Sequence, residues 1–122
     1  MKYIKVIIDT NALLYCFKYK INIESELTGL IGSHNLLILK CVYNELKNLA
    51  GKKSEAKSSL NWIKKFQITE TEGKGDDCIL ETAKKMNTMV ITNDTELKKR
   101  LKTEQIKVIY IRKKAYLVLD GE

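Results

Sequence analysis

Proline is absent from this 122-residue chain, histidine occurs once and cysteine three times. Without proline or any low-complexity tract there is no Pro-rich linker, and 122 residues at 44% hydrophobic content supply one compact core but not two. A single domain over residues 1–122 is expected. The lone histidine, His34, lies in the polar run GSHN and reads as a loop residue, which removes histidine-based acid–base schemes. Cys16, Cys41 and Cys78 are far apart, odd in number and in no CxxC pair. They suggest neither a disulfide framework nor a zinc site, and core thiols are expected. No apolar run approaches the roughly 18 residues of a membrane span, and the first residues lead straight into a strand pattern instead of a signal peptide. A cytoplasmic protein with no membrane partner is expected.

Positive charge is in excess: 22 Lys and Arg stand against 15 Asp and Glu, for a formal charge of +7. Such a balance favours polyanionic partners, although solubility alone also accounts for it.

Short β-branched runs alternate with helix-like segments: YIKVII (3–8), LLILK (36–40), FQIT (66–69), MVIT (89–92), VIYI (108–111) and a further candidate, YLVL (116–119). That alternation predicts βα units, giving a three-layer α/β/α sandwich around a mostly parallel sheet of about five strands. Between them, Val42, Leu46 and Leu49 fall on one helical face, as do Ile79, Ala83 and Met86, and Leu97 pairs with Leu101. GKKSEAKSSLNWIKKF reads as a basic helix opened by Gly51, and ETEGKGD as a flexible loop.

Four acids follow strands on this outline: Asp9 after YIKVII, Glu45 early in the helix after LLILK, Asp76 after FQIT and its glycine loop, and Asp94 after MVIT. In an open parallel sheet the carboxyl ends of the strands share one edge, where ligands bind. Helix phase places Glu45 about 60° from Val42 and Asp76 about 60° from Ile79, both bordering an apolar stripe; Asp77 lies about 160° from Ile79 and faces outward. Singly, each acid also serves as a helix cap or a solvated helix residue. Converging carboxylates repel one another unless a cation neutralises them. All-oxygen donors favour Mg²⁺ or Mn²⁺ over zinc, with Asp9, Glu45, Asp76 and Asp94 as ligands. Asn11 and Thr92 are placed to hold the ligands by hydrogen bonds, while ordinary turn bonding explains both equally well, and the outward-facing Asp77 is assigned a supporting place behind the ligands.

With DTN, CVYNELKNL, GDDCILETA and TNDTELKKRL in this order, residues 3 to about 119 resemble the PIN domain family of metal-dependent ribonucleases. CVxxEL, GxxDDCI and TNDxxLKxRL are most similar to the branch of small-subunit ribosomal RNA processing proteins and their single-domain archaeal relatives. Toxins of virulence-associated toxin–antitoxin pairs form the second branch. The resemblance carries the family's acids onto Asp9, Glu45, Asp76 and Asp94, and its supporting polar positions onto Asn11 and Thr92. It implies hydrolysis of RNA phosphodiesters with one or two Mg²⁺ or Mn²⁺ ions. The implied partners are RNA, an antitoxin or a ribosomal precursor, and a second copy in a homodimer. Where many relatives carry proline, this chain has Cys41. The alternative is a nuclease-silent RNA-binding or assembly module on the same fold. Basic runs at 52–53, 64–65, 98–100 and 112–114 would steer RNA toward the acids, and each also reads as a solvated face. Trp62, at helical spacing from Phe66, reads as core before it reads as a base-stacking residue.

Overall fold

The computed structural model describes residues 3–121. In chain order its elements are β1 (Ile4–Ile8), α1 (Thr10–Lys18), α2 (Ile23–Ile31), β2 (His34–Leu39), α3 (Lys40–Leu49), α4 (Ser54–Ile63), β3 (Ile68–Thr69), α5 (Gly75–Met86), β4 (Met89–Ile91), α6 (Thr95–Thr103), β5 (Val108–Arg112) and β6 (Tyr116–Leu119). One six-stranded sheet runs in the order β3-β2-β1-β4-β5-β6. Every pairing is parallel except β5 with β6, so the expected mostly parallel α/β architecture is present, with YLVL added as an antiparallel edge.

Buried strands explain the continuous apolar runs. Val6, Ile7, Ile8, Val90, Ile91 and Ile109 have no exposed surface, as strands covered on both faces require. Helices α1, α3 and α4 pack on one another and α5 packs on α6. The chain moves outward from β1 through the first group and from β4 the other way through α6, so right-handed crossovers put a layer on each face. Winding reverses between β1 and β4, which pair directly through Val6–Met89 to Ile8–Ile91. A crevice at the carboxyl ends of these two strands follows from that reversal.

Several expectations are corrected. Helix α2 carries no strong sequence signal, yet Asn22 caps it through a bond from Ser25 N–H, and Ile23 and Leu27 bury its inner face. His34 begins β2 instead of a loop; its Nδ1 lies 2.9 Å from the Gly32 carbonyl and its Nε2 3.4 Å from Glu24. Helix α4 begins at Ser54, three residues past Gly51, because the intervening residues turn back onto the Leu49 carbonyl. Cys41 and Cys78 are not core thiols: they form a disulfide joining α3 to α5 across a sequence separation of 37. A tertiary contact brings them together, and residue spacing cannot report one. Cys16 does remain a core thiol, fully buried and pushed up to about 12 by burial and by the nearby charge of Asp9. Trp62 is half-buried against the core, its ring centroid 4.9 Å from Phe66 and 5.7 Å from Phe17. Among the described residues no helix is long and apolar enough to cross a membrane.

Candidate metal centre at the strand ends

The central ladder continues into the polar residues. Asp9 N–H donates to the Ile91 carbonyl at 3.1 Å, and Thr92 N–H to the Ile109 carbonyl at 2.9 Å. Asp9 then turns out of the sheet and caps α1, its Oδ1 accepting from Ala12 N–H at 2.6 Å. The Thr92 hydroxyl donates to Asp9 Oδ2 and accepts from Asp94 N–H at 3.1 Å, so one buried side chain joins two strand ends. Asp94 caps α6 through Leu97 N–H at 2.9 Å and is exposed. Beside it, Asn93 is fixed to β5 twice: Ile111 N–H donates to its Oδ1 at 2.7 Å, and its Nδ2 donates to the Ile111 carbonyl at 3.1 Å.

The other two acids arrive on helices. Glu45 lies half-buried in the second turn of α3, and its Oε1 accepts from the Thr10 hydroxyl at 3.0 Å. Thr10, which sequence reasoning passed over, therefore ties α3 to the first residue of α1. Asp76 sits half-buried in the first turn of α5, one residue inside the helix instead of at its cap, which is Lys74. Gly73 and Gly75, at φ +78° and +67°, give the preceding loop the left-handed turns it needs. Asp77 points outward and pairs with Arg100 of α6 at 2.7 Å. Arg100 was read only as part of a basic run; its partner lies 23 residues away, which the sequence does not advertise.

Charge is concentrated where β1, β4 and α5 meet. Burial pushes Asp9 up to about 6, against bonds from Thr92 and Ala12 that hold it down, and the charges of Asp76 and Asp94 raise it further. Asp76 is raised by burial, then by Asp94; Arg100 opposes this and Asp77 adds to it. Asp9, Asp76 and Asp94 thus feel one another, whereas Glu45 is not among the charges acting on Asp9 or Asp76 and is tied only to Thr10, the residue after Asp9. Asn11, two residues after Asp9, is exposed and lines an open cleft between α1 and α4 that none of the four acids lines.

Among the described residues no three acids, histidines or cysteines are drawn tightly enough to hold an ion between them as they stand. The donor chemistry nevertheless fits a hard divalent cation. The groups are all carboxylates, they come from the carboxyl edge of a parallel sheet at its switch point, and their mutual repulsion is what a cation relieves.

An α/β sheet reversing between β1 and β4, with acids after both strands, defines a class of carboxylate-site domains. A family model described as a PIN like domain matches residues 6–114, and the chain belongs to that family. It is similar to Ribonuclease VapC9 of Archaeoglobus fulgidus, 35% identical over 87% of this chain and 82% of that protein. It is also similar to Ribonuclease VapC4 of Methanocaldococcus jannaschii, 35% identical over 96% of this chain and 97% of that one. Among solved structures, that of the PIN domain endonuclease Utp24 superposes with a TM-score of 0.83 at 26% identity, covering 97% of this chain and 92% of the other.

Proposed function

We propose that this protein is a metal-dependent endoribonuclease in which Asp9, Glu45, Asp76 and Asp94 hold one or two Mg²⁺ or Mn²⁺ ions. The observation that carries the reading is the placement of Asp9, Asp76 and Asp94 by three separate segments at one edge of the sheet, Asp9 capping α1, Asp76 in the first turn of α5 and Asp94 capping α6. Names of the relatives support it, two being ribonucleases and one an endonuclease.

Bound there, a divalent ion would supply Lewis acidity and an activated water for hydrolysis of an RNA phosphodiester. The chain's own part is positional. Thr92 orients the Asp9 carboxylate and keeps its proton affinity from rising higher, Thr10 orients Glu45, and the two helix caps hold Asp9 and Asp94 in fixed rotamers. Asp9 must lose its proton to act as a ligand, so apparent metal affinity should weaken as pH drops below about 6, the value of the metal-free carboxyl. Asn11 and Asp77 lie at the rim, where Asn11 faces the approach to the acids and Asp77 fixes Arg100.

Residues 1–122 are proposed to act as one nuclease unit. A toxin role, with an antitoxin laid over the site, follows the VapC relatives; ribosomal RNA processing is the second role. A homodimer belongs to the proposal on the same footing.

A mixed RNA pool incubated with the purified protein and Mn²⁺ or Mg²⁺ tests it, beside Asp9→Asn and Asp94→Asn variants and an EDTA control. Cutting that needs metal and drops by at least about a hundredfold in both folded variants is expected, exceeding the roughly 10–100-fold loss typical of supporting groups. No cutting, or cutting that survives undiminished in the variants and so belongs to a contaminating nuclease, would leave a nuclease-silent RNA-binding module.

A further inference from the structure

The cleft lined by Asn11 has a volume of about 480 Å³ and lies between α1 and the turn into α4. Asn11, Tyr15 and Lys18 form one wall; Lys52, Lys53 and Ser54 form the other. All three lysines are exposed, and none has a carboxylate partner among the described residues, although Glu55 lines the same cleft. Lys53 stands at the N-cap of α4 without a side-chain cap, so the positive end of a ten-residue helix also opens here.

Aromatic surface accompanies the charge. Tyr15 follows Asn11 by one helical turn, and its ring centroid is 4.6 Å from that of Tyr19. Lys18 and Lys114 hold their ammonium groups 5.4 and 5.2 Å from the Tyr19 centroid. Cations and aromatic faces therefore continue from Tyr15 and Lys18 in the cleft, past the end of α1, to Tyr19 and Lys114 outside it. Carboxylates repel a polyanion, and a flanking cationic cleft offsets that repulsion. Aromatic faces accept only bases free of a duplex partner.

We propose that this cleft is the subsite for single-stranded RNA beside the scissile bond, with Lys18, Lys52, Lys53 and the α4 N-terminus taking phosphates and Tyr15 taking a base. The choice of ligand rests on the ribonuclease reading above; the cleft itself does not.

The test is fluorescence anisotropy of a labelled single-stranded oligoribonucleotide, titrated across a range of salt with the full chain carrying Asp94→Asn to suppress cutting. Lys52→Ala/Lys53→Ala is compared with Lys5→Ala/Lys107→Ala, an equal loss of charge at exposed positions on the opposite edge of the sheet. The first pair should weaken binding by about tenfold or more and lower the log–log salt slope by about 1.4, at about 0.7 for each phosphate no longer neutralised. The second should change both far less. Tyr15→Leu should weaken binding at least about fivefold, and Tyr15→Phe should keep it. Equal effects of the two lysine pairs overturn the proposal. So does loss of an acidic peptide's binding in Lys52→Ala/Lys53→Ala with RNA binding unchanged, which would assign the cleft to a protein partner. Cleavage by the unsubstituted protein is scored separately: cutting with equal lysine pairs removes the subsite alone, and selective RNA loss without cutting removes the nuclease alone.

Discussion

The β1–α1 and β4–α6 junctions are neighbours in the sheet and are built alike: a buried strand ends, an aspartate follows within a few residues, and its side chain caps the next helix. Their electrostatic states differ. Asp9 is only 6% exposed and both of its oxygens accept hydrogen bonds, whereas Asp94 is exposed and is held by one. Desolvation therefore pushes Asp9 up to about 6, with Asp94 among the charges that push it. The same local motif yields one residue that destabilises the metal-free fold at neutral pH and another that sits near water. Depth in the sheet, and not the motif, decides which.

The largest expected effect checks whether the junctions stand apart from the rest of the molecule. Cys41→Ser/Cys78→Ser opens the link between α3 and α5 and should cost about 2–4 kcal/mol in urea unfolding. Because it touches neither junction, the difference between Asp9→Asn and Asp94→Asn should be the same with and without it. A changed difference would show that the two ends are coupled through the helices.

Next comes the contrast itself, measured in EDTA. The carboxyl of Asp9 titrates from an ordinary value of 3.8 to about 6 on folding, so its favourable contribution is full below about 3.8 and is lost as pH rises through about 6. Asp9→Asn should then raise metal-free stability near pH 7 by up to about 3 kcal/mol, with the gain vanishing near pH 4. Asp94→Asn should stay within about 0.5 kcal/mol at both. Equal gains, or a gain for Asp9→Asn that persists in acid, would erase the distinction.

Thr92→Val breaks the bridge between the junctions, removing the donor to Asp9 and the acceptor for Asp94 N–H. A loss of about 1–3 kcal/mol is expected, with the Asp9 midpoint moved above 6 in a carboxyl-carbon NMR titration. Thr92→Ser should restore both; a midpoint that stays put in the valine variant would remove Thr92 from the account. The smallest effect belongs to Thr10→Val, which leaves the Asp9 cap intact and frees Glu45 alone. Manganese affinity by calorimetry should fall about tenfold, the lower end for a supporting hydrogen bond. Unchanged affinity would separate Glu45 from the metal.

Strands were legible wherever burial on both faces writes a continuous apolar run, as in IKVII and VIYIR. Helix α2 was not, since IESELTGLI mixes its few inward residues with charge and its cap, Asn22, lies in a stretch without other turn residues. Strand-end position singled out the acids proposed as ligands, and helix phase separated Asp76, which feels the Asp94 charge, from Asp77, which pairs with Arg100. What the sequence hid were pairings across distance: Thr10 with Glu45, Arg100 with Asp77, Cys41 with Cys78. Each depends on two segments meeting in space, and neither residue in any pair carries a local pattern that names its partner.

The ladder bonds from Asp9 N–H to Ile91 and from Thr92 N–H to Ile109 place the backbone of the acidic edge in the same hydrogen-bonded unit as the central strands. Amides so placed exchange with solvent deuterium only when the sheet itself comes apart, on the slowest timescale the molecule has. That slow unit holds the backbone of Asp9 and Thr92, whereas Glu45 and Asp76 reach the same edge on α3 and α5, so exchange rates should differ between the strand-borne and the helix-borne acids.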